Sequence, residues 1–205
     1  QCLVTGLPDQ PTENVHPKIK GVKGGQAVGT SLVSFNGFAY ESYGQTQSYN
    51  APVSEYAAFA YTSALNSLIA DFDHRMSLDG DTVVCWAETG EEQYQNAFND
   101  LTNPRAKTEK DVSETLRCIV NGQMADLPNF HPETPFYVLC LSPNAARGSV
   151  RFFLRDTFGT IAENLVAHYK RLEIDMVPGE WPCLSLYWML KETVPPGSTD
   201  DAASP

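Results

Sequence analysis

The sequence predicts an α/β (α+β) protein, a mixed sheet with packed helices behind a glycine-rich β/loop N-terminal part. Three observations lead there. Ala57, Tyr61, Ala64, Leu65, Leu68, Ile69 and Phe72 place apolar residues at steps of three and four, the repeat of an amphipathic helix. Thr82–Ala87 and Phe136–Leu141 are continuous apolar runs, too short for helices and suited to buried strands. Helical periodicity lies between and after these runs, so residues 82–172 read β-α-α-β-β-α, which places helices against a sheet.

Taken in order, residues 1–50 are rich in Gly, Ser, Thr and Asn, with brief strands expected at Cys2–Thr5 and Ser31–Phe35. Lys18–Gln26 reads as a loop or irregular hairpin. The first helix starts near Pro52, whose missing N–H costs nothing in a first turn. It is expected to end before Asp79-Gly80-Asp81, with Glu55, Thr62, Asn66 and Asp73 on its polar side. Two helices follow, Glu91–Leu101 and Lys110 to about Val120, split by Asn103-Pro104, then a loop from Pro128 to Pro135. After the second buried strand come a third strand, Ser149–Phe158, and a helix from Gly159 to Leu172. That helix is expected to bury Ile161, Leu165, Tyr169 and Leu172. Leu184–Leu190 reads as a short helix, and residues 195–205, rich in Pro, Ser, Asp and Ala, as a disordered tail. Residues 1–50 and 51–194 are expected to form one domain.

The 205 residues carry a net charge of −11 and an ordinary apolar fraction of 42%. Such acidity opposes indiscriminate DNA binding, which needs cations to displace counterions from phosphates. The charge is uneven: residues 51–110 hold 4 basic and 10 acidic side chains, whereas residues 147–171 hold 5 basic and 2 acidic. No apolar run approaches the roughly 20 residues that span a bilayer. The opening Gln1-Cys2-Leu3-Val4 lacks an initiator Met and a secretory leader, which suggests a segment of a longer protein. Cys2, Cys85, Cys118, Cys140 and Cys183 are odd in number and form no C-x-x-C pair, so reduced cysteines are expected.

Two segments are candidates for polynucleotide binding. In the third strand, alternation points Val150, Phe152 and Leu154 to the core and Arg151, Phe153 and Arg155 to the other side, with Arg147 at the start. Guanidinium groups flanking a ring can bind phosphates and stack a base. The same pattern suits a solvated sheet face whose arginine stems cover an aromatic. The second segment holds Lys18, Lys20, Lys23 and Gln26 among glycines that let backbone N–H groups approach an anion, while Gln26 can read a base edge. It lacks the P-loop order and equally suits a solvated turn.

Enzyme signals are weak, and no catalytic residue, metal ligand or cofactor is expected. His16, His74, His131 and His168 lack metal-ligand spacing, and His168 reads as a core or boundary residue. Asp71, Asp73, Asp79 and Asp81 form the one acidic group a metal-dependent nuclease would use; the helix-surface explanation competes with it.

Residues 16–69 (HPKIKGVKGGQAVGTSLVSF and onward) and 141–170 (LSPNAARGSVRFFLRDTFGTIAENLVAHYK), with Cys2–Gly6 and Thr82–Glu88, resemble the Csd-one family. This is the large subunit of type I-C CRISPR surveillance complexes. Residues 91–127 and the tail match that family less clearly. Family members are longer, so the chain resembles their middle portion. The resemblance implies a non-catalytic subunit of a cytoplasmic, RNA-guided ribonucleoprotein for antiviral defence. The implied partners are target double-stranded DNA, CRISPR RNA, backbone and small subunits and a helicase-nuclease, with no membrane. It implies contact with the protospacer-adjacent motif or the displaced strand. Docking of other subunits without DNA contact is the competing role.

Overall fold

The computed structural model describes residues 1–8, 10–78, 80–102 and 131–172, together with Met189 and Thr193. The order is α1 (Glu55–Ala70), β1 (Arg75–Leu78), β2 (Asp81–Ala87), α2 (Glu92–Thr102), β3 (Pro135–Asn144), β4 (Arg147–Thr157) and α3 (Phe158–Arg171). The strands form one antiparallel sheet in the order β1-β2-β3-β4, and the fold is α+β. The expected helix at 110–120, that at 184–190 apart from Met189, and the tail at 195–205 lie outside the described residues, as do Cys118 and Cys183. Among the described residues, no helix is long and apolar enough to cross a membrane.

The chain divides into two compact units. The first comprises residues 1–75, 80–84 and 140–152, and the second residues 76–79, 85–139 and 153–205.

In the first unit, Ser54 caps α1 by accepting a hydrogen bond from the Ala57 N–H at 3.2 Å, which sets the start three residues after Pro52. The helix buries Ala57, Ala58, Thr62, Leu65 and Ile69, and Cys2, Val53, Ala57 and Ala58 cluster with Tyr61 against them. Thr62 is therefore inside, contrary to expectation. Phe72 is not part of the stripe: α1 stops at Ala70, and Phe72 is 77% exposed beneath the Arg75 guanidinium. The cause is Asp71, whose carboxylate accepts hydrogen bonds from the Asp73 N–H and the His74 ring, a local turn that competes with another helical turn. Release of the helix there allows β1, which periodicity did not reveal.

The two short strands expected near the N-terminus do not form. Cys2–Thr5 closes into a turn through Cys2 N–H to Leu7 C=O and Gly6 N–H to Cys2 C=O. Only Ser31 of the second segment pairs, in a single parallel bridge to Arg147, and two 3-10 turns, Phe38–Tyr40 and Gln47–Asn50, follow it. A strand needs a continuous partner edge, and these segments meet none.

In the second unit, α2 and α3 pack together, and Tyr169 donates a 2.7 Å hydrogen bond to the Leu101 carbonyl. Their core is aromatic: Phe136 of β3 lies 5.2 Å from both Phe98 and Phe158, and Tyr94 lies 5.3 Å from Phe158. The buried Tyr94 hydroxyl is satisfied by Thr134 Oγ1 at 2.8 Å and the His131 N–H at 2.9 Å. Thr157 caps α3 through the Thr160 N–H. The buried face of α3 is Phe158, Ile161, Ala162 and Val166; Leu165, Tyr169 and Leu172 are half-buried, and His168 is exposed beside Tyr169.

Cys85 and Cys140 are free, buried thiols as expected. Burial pushes Cys85 up to about 12 and Cys140 to about 11, so both behave as small hydrophobes.

Candidate nucleic-acid interface

The lysine segment, in the first unit, is an irregular loop closed by an antiparallel bridge between Ile19 and Thr30. Asn66 of α1 holds it from outside, accepting from the Lys20 N–H at 2.7 Å and donating to the Lys18 carbonyl at 3.2 Å. The Lys23 N–H donates to Thr82 Oγ1 at 2.9 Å. Lys20 and Gln26 are exposed, and Lys23 is half-buried. Lys18 Nζ donates to Ser31 Oγ at 2.7 Å. Gly29 closes the loop with φ +96°, and a Cβ there would lie 2.7 Å from the Ile19 carbonyl oxygen.

Arg147 and Arg151 belong to the same unit. The Arg147 guanidinium donates to Asn36 Oδ1 and lies 4.9 Å from the centre of the Tyr40 ring. Since Ser31 pairs with Arg147 through the backbone and with Lys18 through its side chain, Lys18 and Arg147 are brought to the same residue. Arg151 is an ion-pair partner of Asp81, Nε to Oδ2 at 3.1 Å, with the arginine exposed and the carboxylate buried. The basic residues of this unit are thus partly engaged with the protein's own acceptors rather than arrayed as free cations.

Phe153 and Arg155 lie in the second unit, where the sheet adds two residues that the sequence reading missed. Trp86 of β2 and Tyr137 of β3 stack with centroids 5.2 Å apart and planes 11° from parallel. Phe153 lies 6.2 Å from Tyr137 and 6.4 Å from Trp86, its plane tilted 18° and 30° to theirs. The three distances describe a triangle; a column of rings would put its outer pair much farther apart. The Arg155 guanidinium sits 5.8 Å from the centre of Tyr137, within cation–π range. Trp86 and Tyr137 are half-buried and Phe153 is 52% exposed. Each of the first two is the one aromatic residue of its face among aliphatic neighbours, and alternation places Trp86 opposite the buried Cys85 and Ala87. That alternation was the available signal; strand order was needed to see that the rings meet.

Such a cluster offers π-surface, and Arg155 adds a cation beside it. This is the chemistry of sequence-tolerant stacking on unpaired bases.

Contrary to the expected inward face of β4, Val150, Phe152 and Leu154 are 52%, 37% and 50% exposed. β4 is an edge strand, and most of its residues on both faces are exposed.

For metal chemistry, no group of three or more His, Cys, Asp or Glu side chains suited to an ion occurs among the described residues. Asp79 lies outside them. Asp71 is held below the usual carboxylate range chiefly by the Asp73 N–H, then by His74.

A search of individually curated proteins finds no match to the chain. The family model of the CRISPR-associated protein (Cas_Csd1) matches residues 1–205, including the segments 91–127 and 195–205 where the resemblance was weakest. This chain belongs to the CRISPR-associated Cas_Csd1 family.

Proposed function

We propose that this chain is a non-catalytic segment of the large subunit of a type I-C RNA-guided surveillance complex. In this reading it contacts the displaced strand of target DNA opened by CRISPR RNA. The complex works in the cytoplasm with backbone and small subunits, and a separate helicase-nuclease does the cutting. Family membership supports the setting, and the Trp86–Tyr137–Phe153 cluster with Arg155 supports the contact. Stacking on such rings favours unpaired bases over a duplex, whose bases are already stacked. For that reason the displaced strand is preferred here to a duplex motif.

The test is fluorescence anisotropy of a labelled single-stranded oligonucleotide with the 205-residue chain and its Phe153→Ala and Arg155→Glu variants. Phe153→Ala should weaken binding by about 5- to 150-fold, as loss of one stacking partner costs roughly 1–3 kcal/mol. Arg155→Glu should weaken binding and flatten its salt dependence. Affinities unchanged in both variants would remove the single-strand role.

A second reading, docking of a neighbouring subunit, has its own support in the exposed apolar side chains of edge strand β4. It predicts that Val150→Asp and Leu154→Asp abolish assembly while Phe153→Ala leaves assembly intact.

A further inference from the structure

Two aromatic side chains of the first unit are placed where they add little to its core. Phe38, in the first 3-10 turn, is 92% exposed, and Tyr43 is 100% exposed. Tyr43 also holds φ at +52°, a left-handed conformation that bulky side chains avoid and glycine adopts at no steric cost. A ring kept in water on a strained backbone does not stabilise the fold, and such outliers gather at functional sites.

The segment that carries the rings is tied down. Asn50 Oδ1 accepts from the Ser42 N–H at 2.9 Å, and its Nδ2 donates to the carbonyls of Gln45 and Gln47 at 3.0 and 2.9 Å. A turn ordered in this way has less freedom to lose when it binds.

Charge selects the partner. Residues 14–54 hold 3 basic side chains and 1 acidic one, Glu41, in a chain of net charge −11. Arg147 joins them: its guanidinium donates to Asn36, two residues before Phe38, and lies 4.9 Å from the centre of the Tyr40 ring. Lys18 bonds to Ser31, whose backbone pairs with Arg147. A hydroxyl and an amide carry no charge to offset these two cations, whereas Arg151 is held by the Asp81 carboxylate. From Asn36 to Asn50 the only aliphatic side chain is Ala39, so the rings lack the apolar surround of a protein-interface core. Exposed rings with uncompensated cations suit unpaired bases and their phosphates.

We propose that the turn bearing Phe38 and Tyr43 stacks unpaired bases of a DNA strand whose phosphates lie on Lys18 and Arg147. The inference deepens the displaced-strand reading and rests on it, with residues other than Trp86, Tyr137 and Phe153.

The test is anisotropy of a labelled oligothymidine with the 205-residue chain. Phe38→Ser should weaken binding about fivefold or more, the loss of one stacked base. Tyr43→Gly should weaken it similarly, yet melt within about two degrees of the parent. Relief of the strained φ there offsets the added freedom of the unfolded chain. Lys18→Gln should lower the slope of log affinity against log salt by roughly 0.7, one phosphate contact on a single strand. Oligouridine of equal length should bind no tighter than oligothymidine. Parent affinity in both ring variants overturns the assignment, as does a melting temperature that falls with affinity in both, since the rings would then serve the fold. Tighter binding of oligouridine would give the turn to RNA, and full oligothymidine affinity with lost subunit assembly would give it to a protein; either overturns the proposal. If Phe153→Ala weakens binding and the two ring variants do not, this contact fails alone. If the parent chain binds no oligothymidine, the displaced-strand reading fails with it.

Discussion

Arg151 and Asp81 form an ion pair of 3.1 Å in which the arginine faces solvent and the carboxylate does not. The carboxylate also accepts from Cys140 Sγ at 3.7 Å, so Arg151 is its main partner. This pair changes how the basic strand should be tested. Charge reversal at Arg151 would place two carboxylates together and disturb the fold as well as any nucleic-acid contact. Arg155, which lies over Tyr137, is the cleaner probe.

Arg151→Ala should therefore lower stability by about 1 kcal/mol, the upper part of the range for solvent-screened pairs. Arg155→Ala should stay within about 0.5 kcal/mol of the parent. Urea unfolding of both variants measures the contrast, and equal losses would show that the ion pair contributes nothing particular.

If the ring cluster stacks bases, binding should tolerate sequence and reject pairing. An eight-nucleotide oligothymidine should quench tryptophan emission, and Trp86→Phe should remove most of that quench. The same length of duplex should bind at least tenfold more weakly. Tighter binding of duplex would point to a groove contact by the lysine loop instead.

Gly29 closes the lysine loop with a φ that L side chains avoid, and a Cβ would press on the Ile19 carbonyl and on the Lys18 stem, 2.7 and 2.9 Å away. Gly29→Ala should destabilise the chain by about 1–3 kcal/mol. A melting temperature within a degree of the parent would mean that the loop relaxes freely.

His16 should make the fold sensitive to mild acid. Burial lowers its pKa, with Glu13 opposing in part, so the unfolded chain takes up a proton near pH 6.5 that the folded chain accepts only at lower pH. In that window the unfolded state binds more protons, and stability falls as pH drops below about 6.5. His16→Gln should lose less stability than the parent between pH 7 and pH 5 in thermal melts. Parallel losses would show that His16 does not titrate differently on folding. Asp71, also depressed, acts only below the ordinary carboxylate range and does not confuse this window.

Local periodicity made α1, β2, α2, β3, β4 and α3 legible within a few residues, because helical and strand repeats record which side of an element is buried. It misplaced the end of α1, since the Asp71 turn is a side-chain event with no apolar signature. It also misread β4. A sequence of Val150, Phe152 and Leu154 alternating with Arg151, Phe153 and Arg155 says that the two faces differ, but not what covers either one. Phe153 and Arg155 were visible as a candidate site from one strand alone. Trp86 and Tyr137 were not, because their meeting depends on the order β2-β3-β4.

By itself, then, the sequence determined the family, the acidic balance and the order of helices and strands, all properties of neighbouring residues or of the chain as a sum. Only the tertiary structure decided which rings share a surface, that Arg151 is committed to Asp81 and that His16 is buried against Tyr61. Those outcomes join residues tens of positions apart, and such contacts are set by packing and register rather than by any repeat along the chain.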